Sequence, residues 1–153
     1  MFYTTLKTLH VLSIVLWVGG MAFAHFCLRP AVVALEPPIR LGLMHAVLGR
    51  FFAVVLGSIV IVLASGLGMM AIYSTQPGAS AKMPVSWMVM AALGLLMMAL
   101  FGHIRFVLFK RLRQAVQENK WTTGAAALAS IRSWVRANLV IGLVVVIVAV
   151  AGG

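Results

Sequence analysis

Four stretches of the chain are apolar for long enough to cross a membrane, and polar or charged positions concentrate between them. A bilayer core about 30 Å thick takes roughly 20 apolar residues as a helix. The first span is predicted over 6–28. Arg29-Pro30 reads as its stop, because proline lacks an amide hydrogen and restricts the residue before it. After a connection holding Glu36-Pro37-Pro38, the second span is predicted over 41–73. It opens amphipathically at Arg40, and Gly57, Gly66 and Gly68 offer surfaces for close helix approach. Residues 74–80 read as a polar turn, and Pro84 suits the first turn of a third helix. That helix is apolar over 85–109, and its polar continuation over 110–119 projects from the membrane. The fourth span is predicted over 128–150. The expected fold is all-α: one integral membrane four-helix bundle over 1–153.

Composition narrows the function. The chain is 63% hydrophobic and 9% charged, with a mean hydropathy of +1.12, which excludes a soluble domain. Its only acids are Glu36 and Glu118, so paired-carboxylate chemistry of the glycosidase or aspartic-protease kind is excluded. A net charge of +10 would suggest nucleic acid in a soluble protein. Here the cations set topology and meet anionic lipids, and no nucleic-acid partner is expected. The lone Cys27 permits no internal disulfide and packs as a small apolar residue.

Of the 12 Lys and Arg, all but Lys7 and Lys82 fall on the first and third connections and their flanks. The positive-inside rule places that face in the cytoplasm, with both termini and the second connection outside. A cleaved leader is the competing reading, since Lys7, an apolar stretch and Ala22-Phe23-Ala24 follow signal-peptide order and cleavage would leave His25 as the amino terminus. Cleavage would also export the basic connections, so the charge bias argues against it.

His10, His25, His45 and His103 lie in or beside the spans, where an ionisable group is costly without a partner. Each is read first as functional and second as an interfacial or helix-bonding side chain. His10 and His25 stand roughly 22 Å apart along one helix and cannot share a metal. His25, His45 and His103 come near one level on the cytoplasmic half, where imidazoles from different helices can ligate a haem iron or a copper ion. No two histidines share a one-turn spacing, so any site is assembled between helices.

Met69, Met70, Met83, Met88 and Met90 flank the outward connection, and thioethers are soft ligands for Cu(I). On spacing alone they read first as flexible apolar filler; with His10, also near the outward face, they can form an entry site for copper. Arg50, Arg105, Arg132 and Arg136 recur near the cytoplasmic boundary and require an anion. Lipid phosphate comes first, haem propionates second. Trp87, Trp121 and Trp134 read as interfacial anchors, and mid-span Trp17 as a cover for a bound ligand. No nucleophile has a base partner, so no catalytic residue is assigned.

Lys7-Thr8-Leu9-His10-Val11-Leu12, Trp17-Val18-Gly19-Gly20-Met21 and Leu28-Arg29-Pro30 resemble the opening helix of the CopD copper-resistance membrane family. Gly49-Arg50-Phe51-Phe52 and Ser65-Gly66 look like the second helix of its short, four-helix members, so the resemblance covers essentially the whole chain. It implies a bacterial inner-membrane protein of copper uptake or handling with intramembrane His and Met ligands. The pattern is also similar to HemJ, a related family of haem-binding protoporphyrinogen oxidases, in which His10 would be the haem-associated histidine. The chain departs from HemJ at Val89-Met90-Ala91, where a lysine is expected, and at Ala24-His25-Phe26, where a Pro-Arg pair is expected.

The leading expectation is a copper permease or permease-like subunit. His10 with Met69, Met70, Met88 and Met90 captures the ion, and His45 with His103, beside His25, releases it inward. The alternative is an oxidoreductase or electron carrier holding a b-type haem between two histidines, with Arg50, Arg105, Arg132 and Arg136 near the propionates and a quinone as redox partner. A structural subunit without cofactor is the third. A periplasmic copper carrier and a homodimer are further expected partners, since four helices leave little room for a private conduction path.

Overall fold

The computed structural model describes residues 1–77 and 83–152; Lys82 and the end of the expected polar turn lie outside them. Four helices account for nearly all of it: α1 (Phe2–Val32), α2 (Pro37–Ser74), α3 (Val85–Gln117) and α4 (Trp121–Ala151), each long and apolar enough to cross a membrane. There is no strand among the described residues. Their outer faces carry Val15, Leu16, Val60, Leu67, Leu95 and Ile147, all exposed in the isolated chain. Such a surface suits lipid, where helices satisfy their own backbone groups. The protein is a multi-pass membrane protein.

Packing follows a seven-residue repeat. In α2, Leu41, Leu48 and Val55 are buried at steps of one heptad, with Met44, Ser58 and Ser65 on the alternate positions. In α4, Gly124, Ile131, Asn138 and Val145 keep the same step. Such a period holds one stripe against neighbours that cross at shallow angles. α1 lies along α2 and α3 along α4, and α4 touches all three others. At Gly142 α4 comes close to both α1 and α3: a Cβ there would stand 2.9 Å from Val18 Cγ2 and 3.1 Å from Met97 Cε. Small residues at such crossings replace the hydrophobic drive that lipid removes. One turn away, Asn138 is buried; its Nδ2 donates to the Met97 carbonyl at 3.4 Å and its Oδ1 has no partner. From mid-bundle toward the arginine-rich end, ring centroids step from Trp17 to Phe101 (6.1 Å), Phe52 (5.6 Å) and Phe109 (5.3 Å). Trp17 is therefore a core residue.

The helices differ from expectation at two ends and in one interior turn. α1 continues through Pro30 to Val32 because a π-turn over Ala24–Leu28 precedes it, with the Arg29 amide bonded to the Ala24 carbonyl. The wider turn makes room for the ring and re-satisfies the backbone. α3 carries the same device at Ile104–Leu108 without a proline. Each π-turn adjoins or contains the histidine of a Phe-small-His triplet, Phe23-Ala24-His25 and Phe101-Gly102-His103. α4 begins at Trp121, seven residues before the apolar span, because Asn119 at φ 54° turns the chain tightly and lets the Lys120 amide reach the Ala115 carbonyl at 2.9 Å. Asn is among the few residues that accept this conformation readily. Gly124 then packs on Leu41, with its Cβ position 3.1 Å from Leu41 Cδ1.

Candidate functional site

The site begins on the face of α1 that meets α2 near the end bearing both termini. Tyr3, Leu6, His10, Ser13 and Trp17 recur at helical spacing, and Leu6 lies against Gly68. One turn on, His10 Nδ1 is 2.9 Å from Ser65 Oγ, and the Ser65 hydroxyl also donates to the Ile61 carbonyl. A hydroxyl has one hydrogen. With it committed to the helix backbone, the imidazole is the donor and its Nε2 holds the lone pair. Gly66 supplies the space: a Cβ there would stand 3.4 Å from His10 Cε1. A metal-binding histidine is typically fixed in this way, by a hydrogen bond from its other nitrogen. Met69, half-buried, lies one turn beyond Ser65 on the same face of α2.

The remaining predicted ligands do not converge here. Met88 on α3 is exposed, whereas Met90 packs against the core and Met70 is half-buried about 100° around α2 from Met69. At the arginine-rich end the three other histidines occupy three places. His45 stacks on Phe109 with centroids 5.1 Å apart, and its buried Nε2 has no partner among the described residues. His103 packs edge-on against Trp134 at 5.3 Å, and His25 against Phe26 at 4.9 Å. Among the described residues no group of three or more His, Cys, Asp or Glu gathers into a metal cage. The structure therefore separates the imidazoles that sequence depth places at one level.

The arginines divide too. Arg105 lies over the Phe109 ring at 5.2 Å, with its Nε buried and unpartnered. Phe109 thus carries both an imidazole and a guanidinium. Arg50 and Arg136 are exposed, and Arg132 reaches the rim of a cavity between α1, α2 and α4 that Arg29, Arg40 and His25 also line. Sequence reasoning did not single out Ser65 as the partner of His10, nor Phe109, nor Asn138. A lone amide inside the fourth apolar span was the available signal for Asn138.

Residues 45–151 match the profile of the CopD family, described as copper resistance protein D. The chain belongs to this family. The matched segment runs from His45 through α2, α3 and α4, and so includes Ser65, Gly66 and Met69. α1, with His10, lies outside it. No curated protein and no solved structure matches the chain. For a CopD family member, copper is the metal to test against these groups. An imidazole whose Nε2 keeps its lone pair, with a thioether one turn along the facing helix, suits a soft monovalent ion, which accepts few ligands and needs no carboxylate.

Proposed function

We propose that this CopD family member takes copper up through the inner membrane of a bacterium, accepting Cu(I) at His10. The observation that carries the reading is the relay from His10 Nδ1 through Ser65 Oγ to the Ile61 carbonyl, which fixes the imidazole and leaves Nε2 free. Met69 offers the second, thioether ligand. With the arginine-rich end in the cytoplasm, the termini and His10 face the side from which a periplasmic carrier would deliver copper. His45, whose buried Nε2 lacks a partner, is the acceptor toward the cytoplasmic end.

The test pairs copper accumulation in expressing cells with Cu(I) binding and an optical spectrum of the detergent-purified protein. The expected result is a colourless protein that binds Cu(I), together with loss of both binding and accumulation in His10→Ala. A reduced Soret band with sharp α and β bands at one haem per chain would replace this reading with the b-type haem alternative. Unchanged copper binding in His10→Ala would remove His10 from the site.

A further inference from the structure

At the arginine-rich end, α1, α2 and α4 enclose a cavity of about 380 Å³. That volume lies within the range of small-molecule sites. Its floor is part of the buried core, formed by Leu41, Met44, Leu48 and Val135. Its rim is cationic: Arg29 from the last turn of α1, Arg40 from the first turns of α2 and Arg132 from α4. These guanidiniums repel, and Arg132 sits in the field of Arg29, Arg136 and Arg40. Neither acid relieves them, because Glu118 pairs with Lys120 in the α3–α4 turn and Glu36 is exposed ahead of α2. Among the described residues Arg40 reaches only the Val33 carbonyl, at a long 3.4 Å.

Like charges converging over an apolar floor are stable when an anion with an apolar body lies between them. A small hydrated anion would satisfy the rim and leave the floor unfilled. Arg29 and Arg40 flank the α1–α2 connection and Arg132 stands near the start of the fourth apolar span, where anionic headgroups are within reach of a membrane helix. We propose that this cavity binds an anionic phospholipid, its phosphate held by Arg29, Arg40 and Arg132 and its acyl chain laid along Leu41, Leu48 and Val135. The inference is independent of the copper reading.

The test uses the full chain, delipidated in neutral detergent, with phosphatidylglycerol, phosphatidylcholine and inorganic phosphate as separate probes. Native mass spectrometry is expected to retain one phosphatidylglycerol per chain, and this lipid alone raises the thermal midpoint. The double variant R29Q/R132Q weakens its binding about tenfold or more, as expected for losing charge-assisted hydrogen bonds to phosphate. Lys110→Gln, an exposed cation of the same end outside the cavity, keeps the parent affinity. Ala129→Leu narrows the cavity without touching a charge and also weakens binding, which keeps the test decisive if the double variant fails to fold. Three results would overturn the proposal: parent affinity in both cavity variants, an equal loss in Lys110→Gln, or full stabilisation by inorganic phosphate alone.

Discussion

Replacing Ser65 by alanine separates positioning of His10 from mere packing. Ser65 is 2% exposed and its Oγ stands 2.9 Å from His10 Nδ1. The Ile61 carbonyl keeps its helical amide partner in the variant, so the group left without one is the imidazole N–H. Hydrogen bonds between membrane helices contribute about 0.6 kcal/mol on average and about 1.7 at most, which bounds the expected loss of stability. The ligand effect is larger. A ring freed to rotate and exchange tautomers loses roughly 10- to 100-fold in metal affinity, or about 1.4–2.8 kcal/mol. Ser65→Ala is thus expected to bind Cu(I) at least tenfold more weakly in competition with a chromophoric chelator. Its unfolding midpoint, followed by tryptophan fluorescence in detergent, should move little. Parent Cu(I) affinity in Ser65→Ala, alongside lost binding in His10→Ala, would refute the orienting role of the relay.

Other parts of the bundle give sharper stability readouts. Phe52→Ala removes the ring that meets Phe51, Phe101 and Phe109 and should cost about 3–5 kcal/mol in an unfolding titration. Gly142→Ala, crowding Val18 and Met97, should cost about 1–3 kcal/mol, whereas Gly57→Ala, with nothing within 4 Å of its Cβ, should be neutral or mildly stabilising. Lys120, helped by Gln114, holds the Glu118 carboxyl below the usual carboxylate range. That contribution is present above the ordinary carboxylate pKa and lost as pH falls through the lowered one, so Glu118→Gln should flatten the acid limb of amide protection in the α3–α4 turn. In a Cys27→Ser background, a membrane-impermeant thiol reagent on intact cells should label Thr75→Cys and spare Gln114→Cys; the reverse pattern inverts the proposed orientation.

The bundle was legible in the sequence because lipid demands long apolar runs, and each predicted span lies at least largely within one observed helix. The ends were less legible. Hydropathy locates the part of a helix that needs lipid, whereas Trp121–Ala127 is helical because of the Asn119 turn and the contact of Gly124 with Leu41. The π-turns leave no mark in hydropathy, so Pro30 read as a stop. His10 and the Ser65-Gly66 pair were each visible, but their meeting depends on the register of α1 against α2 across 55 positions. Depth along the helices placed His25, His45 and His103 together; direction around the helices sends them to Phe26, Phe109 and Trp134. Arg29 and Arg40 read as topology charges, and only the fold brings them to the rim of one cavity with Arg132.

A π-turn holds one residue more than a regular helix would, so every side chain past it is rotated by about 100°. In α1 the Ala24–Leu28 turn therefore decides that Arg29 looks into the cavity it shares with Arg40 and Arg132. Aim is set here by a count of residues. Deleting one position from that turn would leave composition, hydropathy and span length nearly untouched while swinging Arg29 away from the site. A relative shorter by one residue at this point would pass as an equivalent chain in any alignment that ignores gaps, yet present a different rim.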